Sequence, residues 1–213
     1  MNIRAVLFDL DGVLLKSMEQ HLEAWQHAFR RFNINIRQSD LYQLEGRGVK
    51  FVVENLADKY GLDAKFKPQI IKEKVAYYEK IFHAEFYDGI YTVLDVLKKK
   101  FIKMAVVTGG YRDRVTRIIN EYFEGYFSVL ITSDDVINTK PYPEPYLKGA
   151  KLLGFEPEQC LVIENAPMGI QSAKKAGMKV LAITTTLTKS HLQKADLIVD
   201  SFKEIEEYLN MNL

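Results

Sequence analysis

Short, near-continuous apolar runs recur along the chain at Ala5–Leu10, Lys103–Thr108, Val129–Ser133, Cys160–Glu164, Lys179–Thr184 and Leu197–Val199. Runs of this length without strict alternation are expected where a parallel sheet is covered on both faces. Between the later runs the spacing of apolar residues becomes helical. Arg112–Tyr122 carries Val115, Ile118, Ile119 and Tyr122, while Pro143–Leu153 stops before Gly154 and Gly169–Ala176 before Gly177. A glycine just past a helix end takes the left-handed conformation that closes it. Strands and helices alternating through short loops predict right-handed crossovers and a doubly wound α/β, Rossmann-like parallel sheet.

The interval between the first two strands breaks this rhythm. Residues 16–83 read as helical almost throughout. Glu19–Phe32 places Leu22, Trp25, Phe29 and Phe32 on one face, Val49–Tyr60 stops at Gly61, and Phe66–Phe82 carries Pro68 in its first turn. A proline there costs nothing, because its missing N–H would have no helical partner. This is far more chain than one crossover requires, so an inserted all-helical domain is expected over 16–83, hinged at Leu14–Ser17 and His83–Asp88. The α/β core is then discontinuous, 1–15 and 84–213.

Composition adds exclusions. With 29 basic and 28 acidic side chains in 213 residues the formal charge is only +1, which makes no case for nucleic acid or an acidic membrane as a partner. Lys98-Lys99-Lys100 and Lys174-Lys175 read as solvated helix ends, where lysine complements the helix dipole. No aromatic residues interleave with them as base stacking would require. No run approaches the ~18 apolar residues of a membrane span. Cys160 is the sole cysteine and sits in an apolar run, so it reads as a buried, inert thiol with no disulfide to form. A cytoplasmic protein is the expectation.

In an open parallel sheet, ligands bind beyond the carboxyl ends of the strands. Here those ends carry Asp9 and Asp11 with Gly12, Thr108 with Gly109 and Gly110, Lys140-Pro141, and Glu164-Asn165. Each has an ordinary reading when taken singly. The aspartates could structure a turn, Thr108 and Asn165 could cap helices, and Lys140 could be a solvated loop lysine. Carboxylates, a hydroxyl, glycines and an ammonium delivered to one edge by four strands are hard to explain as coincidence.

Val6-Leu7-Phe8-Asp9-Leu10-Asp11-Gly12-Val13 resembles the first signature of the haloacid dehalogenase superfamily. Thr108, Lys140-Pro141-Tyr142-Pro143-Glu144-Pro145 and Glu164-Asn165-Ala166-Pro167-Met168-Gly169 follow in the order of its other three. The resemblance spans essentially the whole chain, including a helical cap after the first signature, and is nearest the phosphatase and β-phosphoglucomutase-like group. It implies Asp9 as a nucleophile that forms an aspartyl-phosphate. It implies Asp11 as the acid that protonates the leaving oxygen and then deprotonates water. Thr108, Gly109, Gly110 and Lys140 would hold phosphate, and Asp9, Asp11 (through its carbonyl), Glu164 and Asn165 would bind Mg²⁺. An alkoxide leaving group needs a proton whereas a halide does not, so Asp11 favours phosphate esters over dehalogenation.

Two departures matter. The fourth signature often ends in a second acid where this chain has Asn165, which removes one negative charge from the metal set. In Leu44-Glu45-Gly46-Arg47-Gly48-Val49-Lys50, Arg47 or Lys50 is a candidate substrate contact. The mutase group, however, has an arginine where Val49 stands, and this counts against mutase activity. His21, in a stretch similar to β-phosphoglucomutases, either orients the catalytic acid or is an ordinary boundary histidine. Trp25 and Phe29 read as cap core.

The leading expectation is a Mg²⁺-dependent phosphatase of a small phosphorylated metabolite. The alternatives are a β-phosphoglucomutase-like phosphomutase and a binding or regulatory domain that has kept the fold without activity.

Overall fold

The computed structural model describes residues 3–44 and 46–213, so Glu45 of the expected substrate loop lies outside it. Six strands, β1 (Ala5–Phe8), β2 (Lys103–Val107), β3 (Val129–Ile131), β4 (Cys160–Glu164), β5 (Lys179–Ile183) and β6 (Leu197–Val199), form one sheet in the order β3-β2-β1-β4-β5-β6. Every pairing is parallel. The chain works outward from β1 to β3, then crosses over to β4 on the far side of β1. The strand order therefore reverses between β1 and β4, where an α/β sheet opens a crevice for ligands.

Side-chain alternation divides the core. Val6 and Phe8 of β1, with Leu161 and Ile163 of β4, pack on α5 (Ile90–Lys99), α6 (Arg112–Tyr122) and α9 (Phe202–Asn212). Ala5 and Leu7, with Cys160 and Val162, face α7 (Glu144–Leu153) and α8 (Pro167–Lys175). Both faces being covered explains why the runs are apolar without alternation. The runs ending at Leu10 and Ser133 are longer than the strands they produce. Pairing stops at Phe8 because the Leu10 carbonyl turns to accept from the N–H groups of Val13, Leu14 and Leu15.

Helices α5 and α9 are not among the elements read from the sequence. The signal for α9 is nonetheless present: Ser201 Oγ accepts from the Glu204 N–H at 3.3 Å and donates to Glu204 Oε1 at 2.9 Å. This Ser-x-x-Glu pattern marks a helix start, and Phe202, Ile205 and Leu209 follow as its buried stripe.

Residues 18–81 supply α1 (Met18–Arg30), α2 (Gln38–Tyr42), α3 (Gly48–Lys59) and α4 (Lys67–Ile81). They share a separate core of Trp25, Phe29, Ile36, Leu41, Leu56 and Ile70, among others. The two connecting segments run side by side, with the Lys16 N–H donating to the Glu85 carbonyl at 2.8 Å and Gln20 bonded both ways to the His83 backbone. Among the described residues no helix is long and apolar enough to cross a membrane.

Candidate active site

The helices at 18–81 lie over the carboxyl edge of the sheet and enclose a cavity of about 680 Å³. Its sheet side carries Asp9, Asp11, Thr108, Gly109 and Gly110, and its helical side includes His21, Trp25, Arg47, Lys74 and Tyr78. The two sides meet closely. A Cβ on Gly109 would come within 2.6 Å of the Gly48 nitrogen and 2.8 Å of the Gly46 carbonyl oxygen, so only a glycine lets the 46–48 backbone rest on the strand-end loop.

Lys140 joins the ends of β1 and β4. Its Nζ donates to Asp9 Oδ1 at 2.7 Å and to Glu164 Oε1 at 2.6 Å, and the lysine is 1% exposed. The loop-lysine reading therefore fails. A buried ammonium is tolerated only when paired, and the two carboxylates outweigh the burial that would otherwise lower the Lys140 pKa, leaving it raised. Burial, reinforced by Glu164, pushes the Asp9 carboxyl up despite Lys140.

Glu164 has little capacity left for anything else. Oε1 also accepts from Tyr146 OH at 3.0 Å, and Oε2 accepts from the N–H groups of Asn165 and Ala166 at 2.9 and 3.1 Å. Gly169 makes room for it, since a Cβ there would fall 1.6 Å from Oε1. Asn165 is fully buried and its Nδ2 donates to Thr186 Oγ1 at 2.9 Å. Thr108 Oγ1 accepts from the Gly110 N–H at 3.1 Å, so it orders the loop that the resemblance assigns to phosphate.

Asp11 sits in a second network. Oδ1 accepts from Ser17 Oγ at 2.6 Å and from Arg114 at 2.6 Å and faces His21 Nε2 at 3.2 Å, while Oδ2 accepts from Arg114 at 2.9 Å. Burial alone would raise the Asp11 carboxyl; Arg114 and His21 outweigh it and hold it well below the usual range. His21 is buried beside Lys74, which lowers its pKa to about 3 and keeps it neutral at pH 7. A neutral ring with its proton on Nε2 then donates to Asp11 and accepts from Lys74 Nζ at Nδ1, 3.0 Å away. The boundary-histidine reading is thus set aside in favour of contact with Asp11.

Of the remaining candidates, Arg47 lines the cavity with its guanidinium 3.0 Å over the Phe51 ring. Lys50 is exposed and does not line it. Trp25 belongs to the helical core, as its spacing implies, and also to the cavity wall.

Residues that escape a reading of the sequence are Ser17, Lys74, Tyr78 and Arg114 around Asp11, and Tyr146 and Thr186 beside Glu164 and Asn165. One signal was available for two of them. Ile70, Lys74 and Tyr78 are the buried stripe of α4, and a lysine in the middle of such a stripe is a charge directed toward something specific.

Among the described residues no group of three or more His, Cys, Asp or Glu side chains is arranged to hold a metal ion. Asp9 and Asp11 line the cavity and Asn165 is buried immediately after β4, so the oxygens that the resemblance assigns to a metal are of mixed kind, a carboxylate, a backbone carbonyl and an amide. They suit a hard cation that retains waters and shares a phosphate ligand.

The comparisons with known proteins agree with this architecture. The model of the haloacid dehalogenase-like hydrolases matches residues 6–183. A validoxylamine A 7'-phosphate phosphatase from Streptomyces hygroscopicus subsp. limoneus is 34% identical over 206 residues, 95% of each chain. A pyrophosphatase PpaX from Bacillus cereus (strain B4264) is 29% identical over 224 residues, covering 100% of this chain and 99% of that one. The solved β-phosphoglucomutase from Clostridium difficile superposes with a TM-score of 0.83 at 26% identity, covering 98% of each chain. The chain belongs to the haloacid dehalogenase-like hydrolases, on the side of the superfamily that holds phosphatases and β-phosphoglucomutase-like proteins. It is an enzyme, and the reading as an inactive binding domain is withdrawn.

Proposed function

We propose that this protein is a Mg²⁺-dependent phosphatase that hydrolyses a small phosphorylated metabolite, a sugar phosphate or similar monoester, through an aspartyl-phosphate on Asp9. Residues 16–83 serve as its cap and 1–15 with 84–213 as its catalytic core. The observation that carries the reading is the pairing of Asp9 with a buried lysine, beside a second aspartate held in a separate network.

Asp9 attacks phosphorus, the bond to the leaving oxygen breaks, and that oxygen takes a proton from the protonated form of Asp11, which the negative charge of the incoming phosphate favours against Arg114 and His21. Water then attacks phosphorus, Asp11 takes its proton, and the bond to Asp9 breaks with its electron pair returning to the carboxylate. Arg114 and His21 favour the ionised, proton-accepting Asp11 from which this second step starts. Lys140 holds Asp9 in place and offsets charge at the phosphate. Thr108 and the Gly109 N–H receive the phosphate oxygens, while the Gly110 N–H, spent on Thr108 Oγ1, holds that hydroxyl in place. Asp9, the Asp11 carbonyl and Asn165 would hold Mg²⁺, which when bound offsets the negative charge that otherwise repels an anionic nucleophile. Glu164 acts chiefly through Lys140. His21 orients Asp11, and Arg47, rather than Lys50, is the substrate contact at the loop. The lone, buried Cys160 is consistent with a cytoplasmic setting.

The test is a phosphate-release screen with Mg²⁺ across sugar phosphates, polyol phosphates and nucleotides. Release from at least one class is expected. Isomerised sugar phosphate without net phosphate release would replace this reading with the phosphomutase.

A further inference from the structure

Arg114 belongs to none of the superfamily signatures, yet it makes the most extensive contact with Asp11. It lies in the first turn of α6, on the core side, and its side chain is 12% exposed. Its fork spans the Asp11 carboxylate, with Nη1 donating to Oδ2 at 2.9 Å and Nη2 to Oδ1 at 2.6 Å. A two-point contact of this kind fixes orientation as well as charge. Nη2 also donates to Tyr78 OH at 2.9 Å. Tyr78 comes from α4, and its ring stacks on His21 at 4.2 Å and 7°. His21 returns to Asp11. Two core residues, Asp11 and Arg114, are thus joined in a ring with two from the helical insert, Tyr78 and His21.

Space for this ring is reserved in the sequence. A Cβ on Gly110 would come within 3.2 Å of Arg114 Nη1 and 3.1 Å of Val115 Cγ2. Arg114 Nε is buried without a hydrogen-bond partner among the described residues. An unsatisfied buried donor costs stability, so folding alone does not account for this placement.

We propose that Arg114 is a positioning residue for the water step. It holds the Asp11 carboxylate aimed to accept the proton of the attacking water, and Tyr78 makes that aim depend on the insert being closed over the cavity. The proposal rests on the phosphatase reading above.

Pre-steady-state hydrolysis of p-nitrophenyl phosphate with Mg²⁺ separates the two chemical steps. In Arg114→Ala the second step is slowed, so kcat falls about 10- to 100-fold, as small misplacements of a reacting group do. Phosphoenzyme then accumulates and p-nitrophenolate appears as a burst approaching one per active site, while kcat/KM, which reports only the first step, stays within about threefold, because this leaving group departs without needing the proton of Asp11. Arg114→Lys keeps the charge without the fork and shows the same burst, so the test survives if Arg114→Ala folds poorly. Tyr78→Phe, which keeps the ring stack, shows a weaker version.

An unchanged kcat, or a fall shared by kcat and kcat/KM with no burst, overturns the proposal. Trp25, the sole tryptophan, lines the cavity on the insert side and provides a readout independent of turnover. Acrylamide quenching is expected to rise in Arg114→Ala and Tyr78→Phe, and unchanged quenching in both overturns the link to the insert. If the wild type releases phosphate from no ester at all, the phosphatase reading fails, and with it the water step; the quenching measurement alone still decides the link.

Discussion

Asp9 and Lys140 are 131 positions apart in the chain and 2.7 Å apart in the fold, both buried at the point where the strand order reverses. Asp9 directly follows β1, Glu164 ends the neighbouring β4, and Lys140 arrives between them from the segment after β3. One ammonium therefore serves two carboxylates that would otherwise repel in a medium where each is costly to bury.

Replacing Lys140 by methionine leaves Asp9 and Glu164 facing each other without a counter-charge. A loss of about 3–5 kcal/mol of stability is expected, the usual consequence of removing one partner from a buried pair. Urea denaturation at pH 7 measures it, and a change inside the error of the method would show that Lys140 does not offset the two buried carboxylates.

Asp9→Asn preserves shape and leaves an oxygen to accept from Lys140, so the fold is expected to persist. Turnover should fall by about a thousandfold or more, since a carboxamide is a poor nucleophile. Circular dichroism and phosphate release on the same preparation check both halves of the prediction.

Metal dependence is tested by chelation and by charge. EDTA is expected to stop turnover and added Mg²⁺ to restore it. Asn165→Asp adds a carboxylate to a donor set now limited to one acidic side chain, Asp9. The Mg²⁺ concentration giving half-maximal activity should drop by about tenfold, because ligand charge tunes affinity for such ions. A Mg²⁺ titration of wild type and variant compares them, and equal midpoints would remove Asn165 from the metal site.

Lys74 supplies a pH signature. Burial, then Arg114, lowers its pKa from 10.5 to about 7 in the folded protein. Between those values the unfolded chain binds the proton and the folded one does not, so stability rises with pH across that window. The penalty is full below about pH 7 and gone above 10.5. Lys74→Met removes it, so the variant should gain melting temperature over the wild type at about pH 6 and lose most of that advantage at about pH 10. Thermal melts at the two pH values decide it.

The architecture is legible because its cause is local. Six apolar runs bounded by glycines and polar turns can form buried strands and little else, and the helical period over 16–83 is unbroken by any such run. The strand-end residues share this legibility: Asp9, Thr108 and Glu164 each lie at the end of a recognisable run, and Lys140 lies one loop beyond the run that ends at Ser133. Lys50 reads as a candidate on the same grounds as Arg47, but α3 turns it to solvent, which a loop reading does not anticipate.

Order along the chain therefore determined the sheet, the insert and the set of groups delivered to one edge, since strand and helix periods are properties of neighbouring residues. Only the tertiary structure decided which of those groups touch. Lys140 became the bridge between two carboxylates, Glu164 gave its oxygens to Lys140, Tyr146 and the backbone, and Arg114 reached Asp11 across 103 residues. Side-chain pairing at such separations leaves no period in the sequence; it follows from how β1, α4 and α6 are packed around one cavity.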